Sequence, residues 1–444
     1  MLFDLFVMPS SDCPQPHFQP SFLGDDGSQG TQKSELMTMG AGEPGSRSRG
    51  GRILARIAAS IAMVVVSVAV AVWWAARPAA PGAFYDPPAA IPSEPGILIR
   101  VEPFAEAVPA GARGWRILYS TTRRDGAPAI ASAIVVAPTG AGRRPVVAWA
   151  HGTTGVVAGC APSVTGKPFA HVPAFADIVS EGWVYVGTDY VGLGTAGGHA
   201  YLVGEEAARA VLDSVRAARH LPDIELRDRV VVWGHSQGGN TALWTGILAP
   251  TLAPDVNLVG VAALAPASDL RALVTTAKSS LFGKIVSAYL MKAYGEAYPD
   301  VDPEALVAPL LRPVVADIAG RCAGGLETLV SVAETFLLPK GGLFRVDPIE
   351  GPLGARLEQN TPRRPIVAPV LIAQGEADDL VSPVVQAGYV TERCRAGQSI
   401  DYRTHAGRDH LSFVAPSSPA GSDLVAWTSD RFADRPVGAG CLRP

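Results

Sequence analysis

Residues 230–239 read VVVWGHSQGG, and this stretch decides the fold. Val230–Trp233 is a short, wholly apolar run, as expected of a strand covered on both faces. Gly234-His235-Ser236-Gln237-Gly238 follows it directly, and Gln237–Leu248 then reads as a helix. A G-x-S-x-G pentapeptide alone recurs by chance. Between a buried strand and a helix it is a nucleophile elbow. The turn forces Ser236 into strained backbone, and Gly234 and Gly238 remove side chains that would strike the adjoining strand and helix. The hydroxyl then projects above the sheet, with the amides of the next helix's N-terminus aimed at it.

Working outward, Trp115–Tyr119 and Ile130–Ala137 are strand-like and separated by the turn-like Arg124–Pro128, which suggests an antiparallel hairpin. Pro145–Ala150, Trp183–Val186, Leu258–Leu264, Val367–Ala373 and Ile400–Thr404 read as further strands. Ala174–Glu181, Glu205–His220, Pro383–Cys394 and Leu424–Phe432 read as helices. Within Glu205–His220, Ala208, Val211, Leu212, Val215 and Ala218 fall near a 3.6-residue period. Alternating strands and helices predict an α/β fold, a mostly parallel central sheet flanked by helices. Between Asp269 and Gly354 no convincing strand occurs, only helix-like stretches such as Phe282–Tyr294 and Leu306–Ile318. Roughly eighty-five residues is too long for an ordinary crossover, so 269–354 is expected to be an inserted helical cap.

Serine needs a base to take its proton. In chain order Ser…acid…His, the base follows the last strand, where only His405 and His410 stand. His410, in the loop GRDHL, has the reach; His405 abuts the strand end and reads as a surface or supporting residue. The acid belongs on the loop after Val367–Ala373, GEADDLVSP, where Glu376, Asp378 and Asp379 compete. Asp378 fits the G-x-x-D-x-x-V spacing and is expected to orient His410, with Asp379 capping or solvated. Oxyanion donors are expected from the backbone N–H of Gln237 and from the loop HGTTG after Pro145–Ala150, where Thr153 is preferred to Thr154. His151 beside it reads as loop-stabilising. Gly187–Gly194 superficially suggests phosphate binding but lacks the P-loop Lys and the GxGxxG register, so it reads as a wall of the site.

The 444 residues include 48% hydrophobic and 18% charged, enough to bury a large core. A formal net charge of −4 gives no reason to expect a nucleic-acid partner. Five cysteines without CxxC or CxxH spacing argue against a structural metal site.

Residues 1–50, rich in Gly, Ser, Pro and Gln, read as a disordered tail, and Met37 or Met39 is an alternative start. Residues 51–76 form a targeting segment. Arg47, Arg49, Arg52 and Arg56 precede a low-polarity run, Ile57–Ala76, of about the 30 Å needed to cross a bilayer core. The arginines put the N-terminus inside and the bulk of the chain outside. The run reads either as an uncleaved anchor, with Trp73 and Trp74 at the outer interface, or as a signal peptide cut near Ala69-Val70-Ala71. A Pro/Ala-rich linker over 77–95 leads to the main domain, 96–444. Setting Cys13 aside, Cys160, Cys322, Cys394 and Cys441 favour two disulfides after export, in any of three connectivities.

These residues together resemble the secretory lipase family, the lipase-A-like branch of the α/β-hydrolase superfamily. The likeness rests on FYDPP (84–88), AWAHGTTG (148–155) with CAPS (160–163), residues 187–194, GHSQGG (234–239), LIAQGEADDLVSP (371–383), DHLSF (409–413), and the terminal Trp427, Arg431-Phe432 and Cys441. It implies an α/β-hydrolase fold, hydrolysis of triacylglycerol or related carboxylic esters, a helical lid over an acyl tunnel, and no cofactor or metal. It further implies pairing of Cys160 with Cys322 and of Cys394 with Cys441. The alternatives are a short-chain or cell-envelope esterase, and a membrane-tethered binding module that has lost catalysis.

Overall fold

The computed structural model describes residues 49–437 and residue 441. The tail expected over 1–50 lies, apart from its last two residues, outside them. The described residues begin with α1 (Arg49–Ala75), within which the chain divides, between Val65 and Val66, into two compact units. The sheet and every helix after α1 belong to the unit from Val66 on.

Nine strands form one sheet: β1 (Leu98–Phe104), β2 (Ala112–Thr122), β3 (Pro128–Pro138), β4 (Arg143–Ala150), β5 (Val184–Val191), β6 (Glu225–His235), β7 (Leu258–Leu264), β8 (Val370–Gly375) and β9 (Ile400–His405). Their order is β1-β2-β3-β5-β4-β6-β7-β8-β9. β1, β2 and β3 pair antiparallel, as do β3 and β5; from β5 to β9 every pairing is parallel. Helices α2 (Phe175–Ser180), α3 (Gly204–Ala218) and α4 (Gln237–Leu252) make the first crossovers. The cap follows β7: α5 (Leu270–Ala277), α6 (Leu281–Ala297), α7 (Pro303–Leu306), α8 (Arg312–Ala319), α9 (Gly325–Thr335) and α10 (Gly351–Gln359). Finally α11 (Pro383–Arg395) joins β8 to β9, and α12 (Pro419–Phe432) closes the chain.

The two-residue period of a strand explains why the central runs are apolar throughout. In β6, Val230 and Val232 enter the core on one face of the sheet, while Val231 and Trp233 enter the core on the other. β4 does the same with Val146 and Ala148 against Val147 and Trp149. The cap has its own core, centred on Tyr289, Tyr294 and Leu290, which also takes in Val156, Tyr201 and Val381 from loops at the carboxyl ends of the strands. It therefore sits on the end of the sheet where open α/β folds place their sites.

Three expectations change. β1 went unread, because its burial alternates weakly on a sheet edge and it contains Pro103. Leu306–Ile318 is not one helix: Pro309 and Pro313, lacking amide hydrogens, split it into the end of α7, a 3₁₀ turn over Pro309–Leu311, and α8. The stretch 77–95, read as a linker, is packed on the fold. Tyr85 is buried there with its hydroxyl 2.7 Å from Ser163 Oγ, and a Cβ on Gly159 would overlap the carbonyl of Ala79.

Candidate active site

Ser236 lies between β6 and α4 at φ 58°, ψ −117°, a conformation that disfavours an L side chain. Three backbone bonds hold it there: its N–H donates to Leu264 O at 2.9 Å, and its carbonyl accepts from Asn240 and Ala267 N–H at 3.1 Å each. The glycines are required by close backbone approach. A Cβ on Gly234 would stand 1.9 Å from Gly238 O, and one on Gly238 1.8 Å from Ala150 O. Both obstacles are backbone, so no rotamer change relieves them.

His410 Nε2 is 2.9 Å from Ser236 Oγ, and His410 Nδ1 is 2.7 Å from Asp378 Oδ2. A carboxylate only accepts, so Nδ1 carries the proton and Nε2 is free to accept from the serine. Asp378 is fixed in turn. Its Oδ1 accepts from the N–H groups of Leu380 (3.0 Å) and Val381 (2.8 Å), and its Oδ2 from Gln374 Nε2 (3.0 Å). Gly375 lets the histidine loop lie close, since a Cβ there would meet Arg408 O at 2.3 Å. Asp379 and Glu376 are exposed; the carboxylate that meets His410 is that of Asp378. His405 is not on the surface: it is buried beside Phe413, with Asp423 Oδ2 3.8 Å away.

Sequence reading missed the supports. Within the elbow, His235 donates from Nε2 to His410 O at 3.1 Å, with the two rings 4.7 Å apart. Burial, and then the neighbouring His410, push its imidazolium well below the ordinary range, so it acts as a neutral donor. Gln237 opens α4, where the first backbone N–H groups lack intrahelical acceptors. Its side-chain Nε2 bonds His199 Nε2 at 2.9 Å, and His199 Nδ1 reaches Val191 O at 3.2 Å. Burial keeps His199 neutral, pushed down to about 3. The loop after β4 passes beside Ser236, a Cβ on Gly152 lying 3.7 Å from Ser236 Cβ, and Thr153 Oγ1 is held 2.7 Å from Tyr201 OH. His151 is a buried loop anchor, its nitrogens facing Gly152 O and Asp189 O; burial pushes it down to about 4. Nothing in local spacing announces His199, Tyr201 or Gln374.

The Gly187–Gly194 segment carries a buried carboxylate instead of a phosphate cradle. Asp189 accepts from the hydroxyls of Ser132 and Ser163 and from Ser163 N–H. Burial, outweighing these bonds, raises it to about 6. A carboxyl raised above its unfolded value contributes stability that is complete below the unfolded pKa and lost as pH rises through the folded one. Compared with Asp189→Asn, the parent should lose ~3 kcal/mol of unfolding free energy between about pH 3 and pH 8. Denaturant melts of both proteins across that range check this; parallel pH curves would refute it.

The structure joins Cys160 to Cys322 and Cys394 to Cys441, the pairs named above. The first ties the loop after β4 to the cap between α8 and α9.

A mostly parallel sheet, a strained serine between strand and helix, and a histidine bridging it to a carboxylate define an α/β-hydrolase with a Ser-His-Asp arrangement. The family model "Secretory lipase" matches residues 170–308. Lipase 5 of Candida albicans is 24% identical over 81% of this chain and 82% of its own length. A Mycobacterium tuberculosis protein named as a probable inactive lipase is 24% identical over 80% and 82%. The closed-state crystal structure of Candida antarctica lipase A has the same fold, with a TM-score of 0.65, 20% identity, and coverage of 81% of this chain and 87% of that one. The chain is thus similar to secretory lipases, its site is that of a carboxylic ester hydrolase, and its apolar α1 and two disulfides fit an exported protein.

Proposed function

We propose that this chain is a triacylglycerol lipase acting through an acyl-enzyme on Ser236, with residues 96–444 as the hydrolase domain and 269–354 as its lid. His410 takes the Ser236 proton as Oγ attacks the ester carbonyl. The backbone amides of Gln237 and Thr153 bind the oxyanion, and Asp378 stabilises the imidazolium. His410 then passes that proton to the departing alkoxide. Water, deprotonated by the same imidazole, attacks the acyl-enzyme; Ser236 recovers a proton and the fatty acid leaves. The observation that carries this reading is the His410 imidazole within bonding distance of both Ser236 Oγ and Asp378 Oδ2. The acylglycerol substrate is supported by the lipase relatives, and export by Ile57–Ala76 as signal or anchor.

One of those relatives is named inactive, so activity is the point to test. A fluorophosphonate probe should label the protein, and Ser236→Ala should abolish the labelling. An unlabelled parent would leave a binding protein on a hydrolase fold. With one chromogenic alcohol, long-chain esters should be cleaved at rates comparable to or above butyrate. Activity confined to butyrate would make this a short-chain esterase.

A further inference from the structure

The segment from Tyr190, near the end of β5, to Tyr201, just before α3, touches both stretches from which the oxyanion donors are expected. Tyr190 donates its hydroxyl to His151 O at 3.1 Å, where the HGTTG loop begins. Tyr201 OH meets Thr153 Oγ1 farther along that loop, and His199 meets Gln237 at the start of α4. The three rings are buried and packed on one another. His199 stacks on Tyr190, with centroids 5.6 Å apart and planes 15° from parallel, and meets Tyr201 edge-on at 6.3 Å.

Hydrogen-bond direction makes His199 the hold on Gln237. The ring is neutral and a carbonyl only accepts, so the bond to Val191 O puts the proton on Nδ1 and leaves Nε2 an acceptor. Gln237 therefore donates from Nε2, while its buried Oε1 finds no donor among the described residues. Backbone strain gives a second, independent sign. Tyr190 sits at φ 68°, and the chain doubles back so tightly that a Cβ on Gly192 would stand 2.0 Å from Gly198 O. Strain in a residue other than glycine persists only where its surroundings impose it, and it gathers at functional sites. Two amides on separate stretches stabilise one oxyanion only if their spacing is fixed, and an error of about 1 Å can cost on the order of 100-fold.

We propose that His199, seated between Tyr190 and Tyr201, is a positioning residue that sets the spacing of the Gln237 and Thr153 amides around the oxyanion. This deepens the acyl-enzyme reading and rests on it. The full chain and its variants are titrated exhaustively with a fluorophosphonate to count sites. They are then assayed on a p-nitrophenyl ester and against an alkyl trifluoromethyl ketone, whose adduct with a serine carries an oxyanion. His199→Phe keeps a ring on Tyr190 but removes the acceptor. It should lower kcat per titrated site about 10- to 100-fold with KM within about twofold, and weaken the ketone by the same factor. His199→Gln returns an acceptor oxygen and should regain most of the lost kcat. If His199→Phe does not fold, Tyr201→Phe, which deletes one hydroxyl, should show a loss confined to kcat of on the order of tenfold. Parental kcat per site, a loss confined to KM or to the number of titratable sites, or no recovery in His199→Gln overturns the proposal and leaves the acyl-enzyme standing. A parent that neither labels nor hydrolyses overturns the acyl-enzyme reading, and this one with it.

Discussion

Ser236→Ala is expected to lower kcat for ester hydrolysis by on the order of 10⁶, and His410→Ala by a similar factor. The two losses should not add. Once the hydroxyl is gone the imidazole has no proton to accept, and without the imidazole the hydroxyl is a poor nucleophile, so the double variant should be no slower than either single one. Asp378→Asn should lose about 10⁴, because an amide at the position of Oδ2 presents a donor to Nδ1 and favours the wrong tautomer. Its predicted loss is smaller because Ser236 and His410 remain 2.9 Å apart. Steady-state rates on a chromogenic ester, with circular dichroism to establish folding, provide the measurement. More than about a thousandth of parental kcat in Ser236→Ala would sink the nucleophile assignment.

Replacing Cys160 and Cys322 together by serine should lower unfolding free energy by about 5 kcal/mol, since the bond closes a loop of 162 residues. The pair Cys394–Cys441, closing 47 residues, should be worth about 4 kcal/mol. The consequences for activity differ more than the stabilities. Cys322 lies beside Ala323, whose N–H bonds Thr154 O at 2.8 Å, so this part of the cap is fixed to the loop carrying the expected Thr153 donor. Loss of the first bond should therefore reduce kcat along with stability, whereas loss of the second should leave kcat unchanged. Urea melts give the stability and initial rates give kcat. Parental midpoints in the Cys160→Ser/Cys322→Ser protein would contradict the entropic argument, and parental kcat would contradict the positional one.

Legibility followed the distance over which each feature is encoded. The elbow was readable because its strand, turn and helix are contiguous, and because Gly234 and Gly238 answer to overlaps within that same short segment and the strand beside it. Asp378 and His410 followed from strand order. The supports did not: Gln374 acts four residues from Asp378 across a turn, and His199 meets Gln237 across 38 residues of chain. Proline also carried more weight than apolar spacing in the cap, where Pro309 ended a helix that the spacing continued.

The sheet's alternation, the serine turn, the resemblance to secretory lipases and the apolar export segment were legible in the amino-acid sequence, because each rests on short-range periodicity or contiguous motifs. The tertiary structure alone decided that Tyr85 and residues around it pack on the domain, that His235 steadies the loop bearing His410, and that Arg321 closes the end of α1. These are meetings between residues as many as 248 positions apart, and burial fixes which of a side chain's polar atoms must find a partner only after the chain has folded.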